Sequence, residues 1–354
     1  MVDTLKIERH AIEKSRITEV DFDNIQFGRV YSDHMFVADF LNGEWQNFTI
    51  QPYGDLNLSP ATFALHYGQS IFEGLKAYRS QDAAINVFRP IDNFKRMNIS
   101  AKRMCIPELP EEVFIGGMTE LLKMDRNWAP KGDGNSLYIR PIMFAIDEYI
   151  GLRPTEKFKF IIFTCPVGAY YSEPVEVKVE RKYVRAFPGG TGFAKAAGNY
   201  AGSMYPTELA HDEGYDQLIW TDGIHHENIE EAGTMNLMFI VDGVLLAPDP
   251  KDTVLRSITG SSTLKLAEEW GLKTEVRRIS VSEIIDAIET GRLTEAFGVG
   301  TAATIAQIST ISCDGKDYLL PPVEKRVFSS KVYQYLENLK TGKIEDQFDW
   351  IYKV

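Results

Sequence analysis

Residues 188–203 read PGGTGFAKAAGNYAGS, and few other stretches limit the backbone of this chain so sharply. Gly189, Gly190, Gly192, Gly198 and Gly202 carry no Cβ, so the main chain there can take φ > 0 and lie close against a ligand. One long cation, Lys195, sits among them, and an aromatic hydroxyl, Tyr200, follows five positions on. A lysine held by small residues has the composition of an amine nucleophile that traps a carbonyl compound. The same residues also describe a glycine-rich surface loop with a solvated lysine. The rest of the chain has to choose between the two.

At 354 residues the chain exceeds what one hydrophobic core usually holds, so two domains are expected. A net charge of -12 with no stripe of Lys and Arg argues against a nucleic-acid partner. No apolar run reaches about 18 residues, and the first residues are charged, so neither a membrane span nor a signal peptide is expected and the default address is the cytoplasm. Cys105, Cys165 and Cys313 lie far apart, which suits a reducing compartment and fits no disulfide framework or zinc spacing.

Strand and turn patterns dominate the first half. Residues 34–40 and 45–50 flank Asn42-Gly43, a hairpin signal. Residues 65–80, LHYGQSIFEGLKAYRS, read as a core segment turning at Gly74 or as a pocket wall containing Tyr67 and Phe72. A strand at 85–88 leads into a helix whose Ile91, Phe94, Met97 and Ala101 share one face. Arg96 borders that face, either as a snorkelling charge or as an inward anion clamp. After a second helix at 110–124, residues 136–146 and 157–171 have the composition of buried strands. Arg140 lies in the first of them and needs either an ion-pair partner or a carboxylate ligand.

The domain boundary is expected where GAYYSEP breaks the apolar pattern, giving a small N-terminal domain (1–168), a linker (169–176) and a large C-terminal domain (177–354). In the second domain EVKVERKYVRA alternates as a strand, a helix stops at Gly214, and a strand at 217–220 follows. IEEAGTMNLMFIVDGVLLAP predicts a hairpin turning at Asp242-Gly243, with Glu230 and Glu231 entering an apolar strand as an edge pair facing water or with one turned inward against a cation. Thr259, Gly260 and Ser261 precede a helical pattern, as an ordinary cap or as an anion site built from the first amides. Residues 273–280 predict a strand, 281–290 and 329–340 predict helices, and 294–309 hold a Thr-Ala-Ala turn.

Taken together these parts match what holds pyridoxal phosphate, and the segments LHYGQSIFEGLKAYR, FRPIDNFKRM, SLYIRP, CPVGAY, KAAGNYAGS, EEAGTMN and FGVGTAA resemble the branched-chain amino acid aminotransferases. The resemblance runs from about Phe27 to the C-terminal helix. It implies an α+β chain of two α/β-type domains in the fold-type IV (D-amino acid aminotransferase-like) architecture, with the active site between them and the cofactor bound by the large domain. It implies that Lys195 is the catalytic, Schiff-base lysine, that Tyr200 bonds the cofactor's phenolic oxygen and that Glu231 partners the ring nitrogen. Arg96, Ile258, Thr259 and Thr301 would cradle the phosphate, with Thr234 and Asn236 of the glutamate motif also at the cofactor.

The same resemblance assigns Phe27, Phe72, Tyr138, Tyr170 and Tyr200 to the substrate walls, with Arg140 positioning the tyrosines. Thr301 and Ala302 would hold the substrate carboxylate, and Tyr67 with Ile150 and Leu152 would reach in from a second subunit of a homodimer. The implied reaction is transamination of L-leucine, L-isoleucine and L-valine with 2-oxoglutarate. Ala303 and Ala306 stand where some animal members carry a Cys-x-x-Cys redox switch, so that switch is not expected. D-amino acid aminotransferases and aminodeoxychorismate lyases share the lysine and phosphate site but differ in the pocket segments. A non-catalytic binding protein on this scaffold would not need both Lys195 and Glu231.

Overall fold

The structure is a computed structural model that describes residues 5–22, 24–168, 173–233 and 235–354. It divides into two compact units, one formed by Met1–Tyr170, Ala194–Gly198 and Glu337–Val354, the other by Tyr171–Phe193 and Asn199–Leu336. The expected domains differ from these at two places. The last residues, expected in the second domain, belong with the first, and so does the short segment carrying Lys195.

Hydrogen bonding explains both departures. Ile351–Lys353 forms a strand antiparallel to Ile85–Phe88 and closes one edge of the first unit's sheet. Arg89 N donates to Trp350 O at 2.7 Å, and the Arg89 guanidinium lies over the Trp350 ring. Upstream, Ala196 bridges to Ile71 and Phe72 N donates to Lys195 O at 3.1 Å, so the lysine segment is attached to the strand Ser70–Phe72.

In the first unit the sheet runs in the order Glu8–Arg9, Glu44–Pro52, His34–Leu41, Phe158–Val167, Ser136–Ala145, Leu75–Arg79, Ile85–Phe88, Ile351–Lys353, with Ser70–Phe72 also paired to Ser136–Ala145. The predicted hairpin turns at Asn42 (φ 55°) and Gly43 (φ 87°), both in the left-handed region that a two-residue hairpin turn requires. The helix Pro90–Arg103 starts on proline and buries Met97 and Ala101, while Ile91 and Phe94 pack against the same core. Its neighbour, expected at 110–124, opens with a wide π turn at Glu112–Gly116 and continues as Gly117–Met124.

The second unit's sheet is mixed, ordered Ile229–Ala232, Gln217–Thr221, Val175–Val179, Thr304–Cys313, Leu293–Gly300, Asn236–Val241, Val244–Pro248, Thr274–Arg277, with Lys316–Leu319 on Thr304–Cys313. The strand expected from EVKVERKYVRA stops at Val179. There the Glu180 carboxylate accepts the amides of Lys182 and Tyr183 at 2.6 and 2.9 Å, which turns the chain out of the ladder. The second hairpin turns at Asp242 and Gly243 (φ 51° and 73°) as expected. In the glycine-rich stretch Gly189 takes the expected positive φ (79°), but Gly192 departs from its reading. A Cβ on Gly192 would lie 2.5 Å from Thr253 O, so that glycine admits a neighbouring backbone rather than a ligand.

Candidate active site

In the first unit the Lys195 main chain is held on both sides. Its N–H donates to Ser100 Oγ at 2.9 Å, its carbonyl accepts from Phe72, and Nζ lies 4.8 Å from the Phe72 ring centroid. A short helix, Ala197–Ala201, starts two residues later. Arg96, one turn before Ser100 on the helix Pro90–Arg103, sends Nε and Nη2 to the two oxygens of Glu73, each at 2.8 Å. Glu73 is fully buried and also accepts Asn93 Nδ2 at 2.8 Å and Gly74 N at 3.2 Å. Burial would push its carboxyl up, but the Arg96 charge and hydrogen bonds, with Lys195 and Asn93, hold it below the ordinary carboxylate value. Of the two readings of Arg96, the inward clamp is the observed one, and the anion it clamps is internal. Glu73 lay inside a quoted motif, yet only its place after a buried strand marked it.

Beside the lysine stands an aromatic wall. The Arg140 guanidinium lies over Phe72 (4.6 Å) and Tyr138 (5.3 Å) and donates from Nη2 to Tyr138 Oη at 3.1 Å. Phe27 meets Tyr138 edge-on at 5.1 Å. A Cβ on Gly74 would lie 2.1 Å from Tyr138 Oη, so the expected turn at Gly74 also makes room for that tyrosine. The Arg140 Nε is buried with no acceptor among the described residues. Tyr67 is packed on Phe63 at the end of Phe63–Tyr67 and is not part of this wall. Ile150 and Leu152 are 71% and 87% exposed, so they also stand outside it. Tyr170 lies outside the described residues.

In the second unit the strand Ile229–Ala232 carries Glu231, which is buried. Its Oε1 is 3.0 Å from Arg185 Nε, and Oε2 accepts Leu255 N at 3.1 Å. Asn236 donates from Nδ2 to Leu255 O at 2.9 Å, so both residues grip the same peptide, three positions ahead of the helix Ile258–Glu269. At that helix start the Ser257 hydroxyl caps Gly260 N at 2.9 Å, rather than the amides of Ile258 or Thr259. Thr301 and Ala302 form the turn between Leu293–Gly300 and Thr304–Cys313, beyond the paired Gly300 and Thr304. Tyr200 lies on the helix Ala197–Ala201, its carbonyl accepting Ser203 N at 3.1 Å and Oγ at 2.8 Å. Thr234 lies outside the described residues.

The alternation argument for the two glutamates fails in one respect, because Glu230 is buried as well. Arg185 was not singled out in the sequence, where it is one basic residue between a strand and the glycine-rich stretch. It donates from Nη2 to Gly192 O at 3.3 Å and to Thr253 O, tying that stretch to the acid.

These residues suit pyridoxal phosphate by their chemistry: an amine on a fixed main chain, a buried acid kept oriented by an arginine, and first-turn amides of a twelve-residue helix for an anion. Residues 70–311 match the family model described as amino-transferase class IV. The chain is 39% identical to branched-chain-amino-acid transaminase 1 of Bacillus subtilis over 339 residues, 94% of this chain and 95% of that one. It is 38% identical to a probable branched-chain-amino-acid aminotransferase of Staphylococcus epidermidis, covering 99% and 98% of the two. Among solved structures, the branched-chain amino acid aminotransferase of Escherichia coli superposes with a TM-score of 0.73 at 28% identity, covering 90% of this chain and 98% of that one. With fold, residues and relatives in agreement, the chain belongs to the class IV amino-transferases of fold type IV and, among them, to the branched-chain-amino-acid aminotransferases.

Proposed function

We propose that this enzyme transaminates L-leucine, L-isoleucine and L-valine with 2-oxoglutarate, using pyridoxal phosphate, as a cytoplasmic homodimer. The observation that carries the substrate class is the wall of Phe72, Tyr138 and Phe27 around Arg140. Aromatic faces receive an uncharged branched side chain. The buried Arg140 Nε, which has no acceptor among the described residues, suits the side-chain carboxylate of the second substrate.

Pyridoxal phosphate, when bound, supplies an aldehyde that captures the substrate amine and a ring that takes up the electron pair left at Cα. The Lys195 amine would act as base toward the Cα proton and then, as an acid, deliver that proton to the cofactor's C4′. Glu231 keeps the ring nitrogen protonated, and Arg185 with the Leu255 amide fixes the position of that carboxylate. Ile258, Thr259 and Thr301 would serve the phosphate together with Arg96, whose Nε and Nη2 are on Glu73, and Tyr200 the phenolic oxygen, with Thr234 and Asn236 alongside. Thr301 and Ala302 orient the substrate carboxylate. The exposed Ile150 and Leu152 supply contacts to a second copy, which sedimentation of the Leu152→Asp variant tests as a shift toward monomer.

Borohydride reduction followed by peptide mapping should leave the cofactor on Lys195, and Lys195→Ala should abolish turnover while the fold persists. Label on another lysine would overturn the assignment. Each buried methylene is worth about 0.8 kcal/mol, so L-leucine should exceed L-alanine by about two orders of magnitude in kcat/KM. Faster reaction of D-alanine than of L-leucine would instead place the chain with the D-amino acid enzymes.

A further inference from the structure

Glu230 and Glu231 are neighbours on the strand Ile229–Ala232 and are 8% and 7% exposed. Successive side chains leave a strand on opposite faces, so Glu230 has surroundings of its own. Its Oε1 accepts Thr253 Oγ1 at 2.5 Å, and its Oε2 is buried with no hydrogen-bond partner among the described residues. A buried carboxylate oxygen that no protein donor reaches is costly, and a proton on that group removes most of the cost. Arg185 does not supply the missing donor, since its Nε faces Glu231 and its Nη2 donates to the carbonyls of Gly192 and Thr253. Thr253 thus joins the two acids, holding Glu230 through its hydroxyl and Arg185 through its carbonyl.

We propose that Glu230 is a positioning residue with a changeable charge: it keeps its proton in acid and, on releasing it to solvent, competes with Glu231 for Arg185 and so leaves more negative charge on the Glu231 carboxylate. The proposal rests on the reading that Glu231 supports the cofactor's ring nitrogen. Burial pushes the Glu230 carboxyl up to about 7, with Glu231 and Asp222 adding to the rise and Thr253 and Arg185 opposing it. The cleft of about 330 Å³ beside Glu230 gives the proton a route, and its other charged or titratable groups are Asp222, Asp249, Lys251, Asp252, Arg278 and His225. Asp222 is an acceptor for four backbone amides, those of Ile224, His225, Glu227 and Asn228, so it stays ionised throughout the range concerned.

More negative charge at Glu231 favours the protonated ring nitrogen, so Cα proton removal should quicken as pH rises through about 7, by up to about tenfold, the equivalent of one pKa unit. Two arms test this. In the apo-protein, infrared difference spectra between about pH 5 and pH 9 should show one protonated carboxyl disappearing near pH 7, absent in Glu230→Gln. In the holoenzyme, single-turnover rates with L-leucine should show an inflection near the same pH that Glu230→Gln lacks. Thr253→Val should move it upward, because the anion loses its only donor among the described residues. A Glu230 carboxylate already ionised at about pH 5, or an inflection unchanged in Glu230→Gln, overturns the proposal. If Glu231→Gln instead reacts like the parent enzyme, the ring-nitrogen reading fails while the infrared result still reports on Glu230 by itself.

Discussion

Each unit buries a glutamate near candidate residues of its own, and the two are held in opposite states. Glu73 in the first unit has both oxygens on Arg96, plus the Asn93 amide and the Gly74 N–H, and its carboxyl is held below the ordinary range although it is fully buried. Glu230 in the second has, among the described residues, one hydroxyl donor and one oxygen with no donor, and its carboxyl is pushed up to about 7. Desolvation is the largest influence on both, so burial does not decide which is charged. The charges and donors that face the oxygens do, and with them whether the group serves as a fixed anchor or as a titrating one.

The largest expected break of this contrast is Glu73→Gln. It leaves the Arg96 side chain, 11% exposed, without its counter-charge, and removing one partner of a buried pair costs about 3–5 kcal/mol. Urea denaturation at neutral pH measures it, and a loss below about 1 kcal/mol would mean that Arg96 has other support. The sign with pH is set by the lowered folded value: this contribution is complete above the unfolded value near 4.5 and is lost as pH falls through the folded one. Acid should therefore destabilise the parent more steeply than Glu73→Gln.

Glu230→Gln should act with the opposite sign and a smaller size. Because the folded carboxyl holds its proton up to about 7 against an ordinary 4.5, the folded state binds more protons between those values and stability falls as pH rises across them. The penalty above pH 7 is up to roughly 3 kcal/mol, and the substitution should recover part of it there while changing little near pH 4. Equal effects at both ends of the range would contradict a proton on Glu230.

What could be read beforehand follows how local the cause is. The turns at Asn42-Gly43 and Asp242-Gly243 were legible because positive φ is chosen by the two residues themselves. The helix Pro90–Arg103 was legible because Met97 and Ala101 repeat its period. The edge strand Ile351–Lys353 was not, since its partner Ile85–Phe88 lies at the far end of the sequence and an edge strand needs no pattern of its own. Lys195 stood out by the small residues around it and Glu231 by motif resemblance, whereas the groups that hold them, Ser100 and Arg185, lie on other segments and leave no spacing to read. Glu73 and Glu230 make the same point: one letter, two environments, distinguished only by which donors the fold brings within 3 Å or so.

The finest test removes one donor from each glutamate. Asn93→Ala takes a hydrogen bond from an acid that is ionised at every pH near neutral, so its cost, about 1.5–3 kcal/mol for a bond to a charged group, should be the same at about pH 5 and about pH 8. Thr253→Val takes the single donor from Glu230. In the acid range the carboxyl is protonated, and the loss should be that of a neutral hydrogen bond, about 0.5–1.5 kcal/mol. As pH rises the anion must form with no donor at all, so the cost should grow instead of staying level. Denaturation curves of the two variants at both pH values measure the difference, and parallel behaviour would show that the two buried acids are in the same charge state after all.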